Sequence, residues 1–133
     1  MRLPPAAGIS VSEQLKKVPL AVRPIVRAAR RMVKAIAPKA KEIAYRSQPP
    51  RSSRSMWKIA RYAVDDAPVV AIGTYPKYAT LFFFRGRELD EGSGLLEGGG
   101  KKLRFIQLRS PADAGRRPVK RIVRKAFKLG GRR

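Results

Sequence analysis

The chain has 133 residues, the size of one domain, and its 44% apolar content is enough for one hydrophobic core. It holds no cysteine and no histidine, which excludes disulfides, Cys/His zinc sites, thiol nucleophiles and Ser–His triads. Its net charge is +22, and the excess lies in the flanks: residues 1–61 carry 15 basic and 2 acidic groups, residues 62–115 carry 7 of each, and residues 116–133 carry 9 basic groups and no acid.

Residues 1–8 read as a disordered lead. Ser10 or Ser12 can cap a short helix running to about Val18, with Glu13 three residues after Ser10 as in a capping box, and Pro19 ends it. Val22, Val26, Ala29, Val33 and Ile36 then follow helical spacing, with Ile25 and Met32 beside them. Arg23, Arg27, Arg30, Arg31 and Lys34 fall mostly on the other side, and Pro38 stops the helix near Ala37. Residues 46–55 are a loop rich in Pro, Ser and Arg. The period next becomes that of strands: Met56 to Ala63, a turn at Asp65–Pro68, Val69 to Thr74, a tight link at Pro76-Lys77, then Tyr78 to Phe84. Residues 85–102 form a Gly-rich connection with an expected helical turn near Gly94 to Glu97. Leu103 to Arg109 is a fourth strand and Pro111 to Gly115 a turn. A last helix carries Val119, Ile122, Val123, Ala126 and Phe127 on its apolar stripe, with Pro118 at its start and Gly130-Gly131 at its end.

The expected fold is a single α+β domain over residues 9–129 with a basic tail at 130–133. Its antiparallel sheet has about four strands, and the N-terminal and C-terminal amphipathic helices pack on one face. No secretory leader pattern stands in Met1 to Gly8, and no apolar run predicts a transmembrane helix, so the expected location is the cytoplasm.

Four stretches carry a family resemblance: IAPKAKEIAYRS, PKYATLFFFRGREL, GLLEGGGKKLRFIQL and the closing amphipathic helix. Together they span about residues 20–128, and their order resembles the YdhG-like family, a bacterial domain family largely of unknown function. The resemblance implies helices packed on an antiparallel sheet. It also implies a second functional reading, because some members are described as frataxin-like intracellular iron chaperones. Frataxin-type iron binding relies on a carboxylate-rich face along the first helix and first strand. The corresponding helix here presents Arg27, Arg30, Arg31 and Lys34, with Glu42 the only nearby carboxylate.

Three groups of residues are candidates for chemistry. The basic faces come first: Arg117, Lys120, Arg121, Arg124 and Lys128 on the last helix, and Arg27, Arg30, Arg31 and Lys34 on the earlier one. Such stripes suit a polyanion such as nucleic acid, tracking phosphates without reading sequence, although a solvated surface in an Arg-rich protein has the same composition. Trp57, Tyr62, Tyr75 and Tyr78 could add base stacking, or pack in the core. The loop Gly98, Gly99, Gly100, Lys101 could contact an anion through backbone N–H groups, but it leads into a strand and lacks the Walker spacing. Asp65, Asp66, Glu88, Asp90 and Glu91 are the oxygen ligands that an iron reading would use; turn formation and ion pairs with Arg85 and Arg87 explain them equally. With no nucleophile or cofactor motif, the expectation is a non-catalytic binding domain without a cofactor, iron being the alternative.

Overall fold

The computed structural model describes residues 10–45, 48–90, 92, 94–98 and 102–130. Helix α1 (Val11–Lys17) begins where the Ser10 hydroxyl accepts the Glu13 backbone N–H at 3.1 Å, which settles the cap on Ser10. Helix α2 (Arg23–Ile36) starts with Pro24 in its first turn. The Arg23 guanidinium bridges the corner between the two, donating to the Val18 and Lys16 carbonyls at 2.8 and 2.9 Å.

The sheet has five strands, not four: β1 (Lys41–Ala44), β2 (Trp57–Val64), β3 (Ala67–Thr74), β4 (Ala79–Phe83) and β5 (Arg104–Leu108), in that order and all antiparallel. Strand β1 hides from pattern reading because it is four residues long and places a carboxylate, Glu42, at an inward position. Asp65 and Asp66 form the β2–β3 turn with φ of 52° and 63°, the left-handed pair that a two-residue hairpin of matching twist requires. The β2–β3 register shifts twice, leaving Ile59 and Val69 as extra residues, and both are buried in the core.

One-turn helix α3 (Gly86–Leu89) follows β4, one-turn helix α4 (Pro111–Ala114) follows β5, and α5 (Arg117–Leu129) closes the chain. The helical turn of the Gly-rich connection therefore lies at 86–89 rather than at 94–97. Two contacts hold it there. Leu89 is buried in the core, and Gly86 backs onto β5 so closely that a Cβ would stand 2.5 Å from the Arg104 backbone nitrogen. Glu97 instead pairs with Phe105 on the outer edge of β5, through N–H···O contacts of 2.8 and 2.9 Å.

The stripes of α1, α2 and α5 join the inward sheet residues in one core. Leu15, Val26, Ala29, Val33, Val119, Ile122 and Val123 meet Tyr62, Ile72, Leu81, Phe83 and Leu108. The helices thus cover one face of the sheet, as expected. The opposite face carries Lys58, Arg61 and Ala63 on β2, Ala71 and Gly73 on β3, Thr80 and Phe82 on β4, and Phe105 and Gln107 on β5, by the register of the ladders. Ala63, Ala71 and Phe82 are buried there without belonging to the helix-side core.

Candidate polyanion interface

Helices α2 and α5 lie side by side over the sheet, and their polar faces meet in a groove of about 500 Å³. Arg31 from α2 stands on one side and Lys120 and Arg124 from α5 on the other. Met32, Ile36 and Ala114 form an apolar floor. Lys120 and Arg124 are one helical turn apart, so they project in the same direction. Among the described residues no carboxylate pairs with any of these three cations, and none lines the groove. Arg117, Arg121 and Lys128 are exposed along α5, continuing its basic face.

The α2 face divides differently from the sequence expectation. Arg27 and Arg31 are exposed, but Arg30 turns toward β1. Its Nε and Nη2 donate to the two Glu42 oxygens at 2.8 and 2.9 Å, and the Tyr62 hydroxyl donates to the same carboxylate at 2.7 Å. Lys34 Nζ lies 3.8 Å from Glu42. Burial alone would raise the Glu42 pKa, but the hydrogen bonds from Arg30 and Tyr62 and the charges of Arg30 and Lys34 outweigh it and hold the carboxyl below its ordinary value. Burial and the neighbouring carboxylate push the Tyr62 hydroxyl far upward. Arg30 is therefore a structural ion-pair partner rather than a member of an open phosphate-binding stripe, and Lys34 is drawn in part to the same carboxylate.

The five carboxylates of the iron reading are not brought together. Asp65 and Asp66 make the hairpin turn. Glu88 accepts from Arg85 Nε and Nη2 at 2.7 and 2.6 Å. Asp90 accepts the Gly92 N–H at 3.0 Å and lies 3.7 Å from Arg104. Glu91 lies outside the described residues, as do Gly99, Gly100 and Lys101 of the expected anion loop. Gly98, with φ of +116°, sits against the Phe105 ring. Among the described residues no group of three or more carboxylates could hold a metal ion, and no helix is long and apolar enough to cross a membrane.

Of the expected stacking residues, Trp57 and Tyr62 are core. Tyr75 and Tyr78 are half-buried and stacked, with ring centroids 4.8 Å apart, and the Arg109 guanidinium lies 4.8 Å from the Tyr78 centroid. Sequence reading passed over a second cation–aromatic group. Tyr45, just past the end of β1, has Arg61 and Lys58 over its ring at 5.3 and 5.7 Å. Tyr45 and Arg61 line a concavity of about 780 Å³ at the β1 edge of the sheet, together with Ser10, Glu42, Ala63, Asp66 and Phe84. The signal of this cation–aromatic group is weak in the sequence because the bulge at Ile59 breaks the alternation between Lys58 and Arg61.

Comparison with protein-family models, with curated proteins and with solved structures finds no match for this chain.

Proposed function

We propose that this chain is a non-catalytic domain that binds nucleic acid as a polyanion, through the groove between α2 and α5. One observation carries the reading. Two helices far apart in sequence place Arg31, Lys120 and Arg124 around one groove with no carboxylate among its lining residues. Cations that served solubility alone would gain from neighbouring acids, as Arg30 does from Glu42. Arg117, Arg121, Lys128 and Arg27 extend the positive surface on both sides, so a phosphate backbone crossing the groove meets charge along its path. Contacts of this kind position a backbone without reading bases. The YdhG-like resemblance belongs to the same proposal, since it implies helices packed on an antiparallel sheet.

The test is a salt titration of duplex DNA binding, followed by fluorescence anisotropy. Each cation–phosphate contact contributes about 0.9 to the slope of log affinity against log salt. The combined Arg31→Gln, Lys120→Gln and Arg124→Gln variant is expected to flatten that slope by roughly 2.7 and to keep its fold, because none of the three belongs to the core cluster. An unchanged slope, or no duplex binding by the native chain at low salt, would overturn the proposal.

A further inference from the structure

The link between β3 and β4, residues 75–78, presents two aromatic rings that the groove reading leaves unused. Tyr75 and Tyr78 stack with ring centroids 4.8 Å apart and an interplanar angle of 27°. The turn beneath them is tied together: the Tyr75 N–H donates to the Tyr78 carbonyl at 2.8 Å, and the Thr74 hydroxyl donates to the Tyr75 carbonyl at 2.8 Å. Continuing the β4–β5 ladder by one residue sets Arg109 beside Tyr78, and its guanidinium lies 4.8 Å from that ring centroid. Guanidinium, ring and ring thus form a row across the ends of β5, β4 and β3. The row borders a concavity of about 470 Å³ lined by Ser53, Arg54, Tyr75, Pro76, Lys77 and Tyr78. Both rings are half-buried and the other lining residues are exposed, so the site is open to a ligand. No carboxylate lines it, and among the described residues none pairs with Arg54, Lys77 or Arg109.

We infer that this concavity takes an unpaired base of a nucleic-acid strand, stacked on the Tyr75–Tyr78 pair, with the flanking phosphates on Arg54 and Lys77. Two features select this occupant. A ring pair already ordered by its turn loses little freedom when a third flat group joins it, and every base offers such a face. Exposed cations around the rings, Arg54 from the loop before β2 and Lys77 from the turn, match the charge of the strand that carries the base. A duplex keeps its bases stacked on one another and could offer this site only its backbone. An acidic peptide would satisfy the cations and leave the ring faces without a flat partner. The inference deepens the nucleic-acid reading, from a duplex backbone to an unpaired base, but it shares no residue with the α2–α5 groove, so either can fail alone.

The experiment compares a labelled short oligothymidylate with an abasic deoxyribose-phosphate strand of equal length and charge, both binding the native chain. The oligothymidylate is expected to bind about tenfold more tightly, the scale of stacking one base on an aromatic side chain. Tyr75→Leu is expected to erase that preference, while Tyr75→Phe keeps it, as does the groove variant at Arg31, Lys120 and Arg124. Arg54→Gln with Lys77→Gln, both at exposed positions, is expected to flatten the single-strand salt slope by roughly 1.4 and to leave the duplex slope unchanged. Equal binding of the two strands, no binding of either, a preference that survives Tyr75→Leu, or a single-strand slope unmoved by the Arg54 and Lys77 changes would overturn the inference. The last arm decides the matter even if Tyr75→Leu fails to fold, and duplex binding reports separately on the helix groove.

Discussion

The two cationic surfaces of this domain are built in opposite ways. At the α2–α5 groove, Arg31, Lys120 and Arg124 stand over an apolar floor of Met32, Ile36 and Ala114, with no aromatic ring in the lining. On the helix-free face, cations rest on tyrosines: Lys58 and Arg61 on Tyr45, and Arg109 on Tyr78. A cation on a flexible stem over an open groove meets phosphate wherever it comes. A guanidinium or ammonium over a ring is restrained by that contact and is less free to follow a phosphate. The comparison teaches that net charge alone does not define a partner; the groups that orient the charge do.

The strongest way to break this contrast is to reverse the groove charges. Arg31→Glu, Lys120→Glu and Arg124→Glu together should lower duplex affinity by roughly a hundredfold or more at low salt, since hydrogen bonds to charged groups contribute about 1.5–3 kcal/mol each. The preference for oligothymidylate over the abasic strand should survive. If that preference vanishes too, the two surfaces act as one electrostatic belt and the distinction drawn here is wrong.

A smaller change tests the boundary between them. Glu42 draws Arg30 and Lys34 out of the helix face. Replacing it with Gln should break both ion pairs, yet leave the duplex salt slope unchanged, because Arg30 and Lys34 stand on the β1 side of α2, away from the groove. The same change should cost about 2 kcal/mol of stability in urea denaturation, because Arg30 and Tyr62 lose a charged acceptor. The sign of the pH effect follows from the lowered carboxyl pKa. In the native chain Glu42's contribution is fully present above the ordinary value of 4.5 and is lost as pH falls through the folded-state value. The Gln variant should lack that part of the acid loss. Parallel acid limbs for the two proteins would show that the Glu42 cluster does not couple to folding.

The helix groove was half legible in the sequence and the opposite face of the sheet hardly at all. Periodicity alone located the stripes of α2 and α5, since the 3.6-residue repeat places Val26, Ala29 and Val33 inward whatever lies opposite. Periodicity could not tell that Arg31 faces α5 while Arg30, one residue earlier, faces β1, because that depends on where Glu42 lands. Strand β1 escaped for the same reason: a charged residue inside a four-residue strand erases the alternation, and only its partners make it tolerable there. The composition of the opposite face depends on cross-strand register. Arg61 stands beside Ala71, and Ala71 beside Phe82, because two bulges set which residues oppose, and bulges leave no clear mark in a single sequence.

The smallest expected effect is the sharpest measure of the contrast. Lys77 is exposed at the concavity beside Tyr75 and Tyr78, whereas the Arg109 guanidinium lies 4.8 Å from the Tyr78 centroid. If Lys77 serves phosphates alone, Lys77→Gln should flatten the single-strand salt slope by roughly 0.7, the contribution of one contact on a single strand. It should weaken the oligothymidylate and the abasic strand equally, so their ratio stays fixed. Arg109→Gln should instead lower the ratio and move the slope less, because it frees the Tyr78 ring that backs Tyr75 and removes a charge already restrained on that ring. The duplex slope should be unmoved by either change, since neither residue lines the groove between α2 and α5. A Lys77→Gln variant that loses base preference as Arg109→Gln does would show that charge near the tyrosines, and not the ordered ring pair, governs this site.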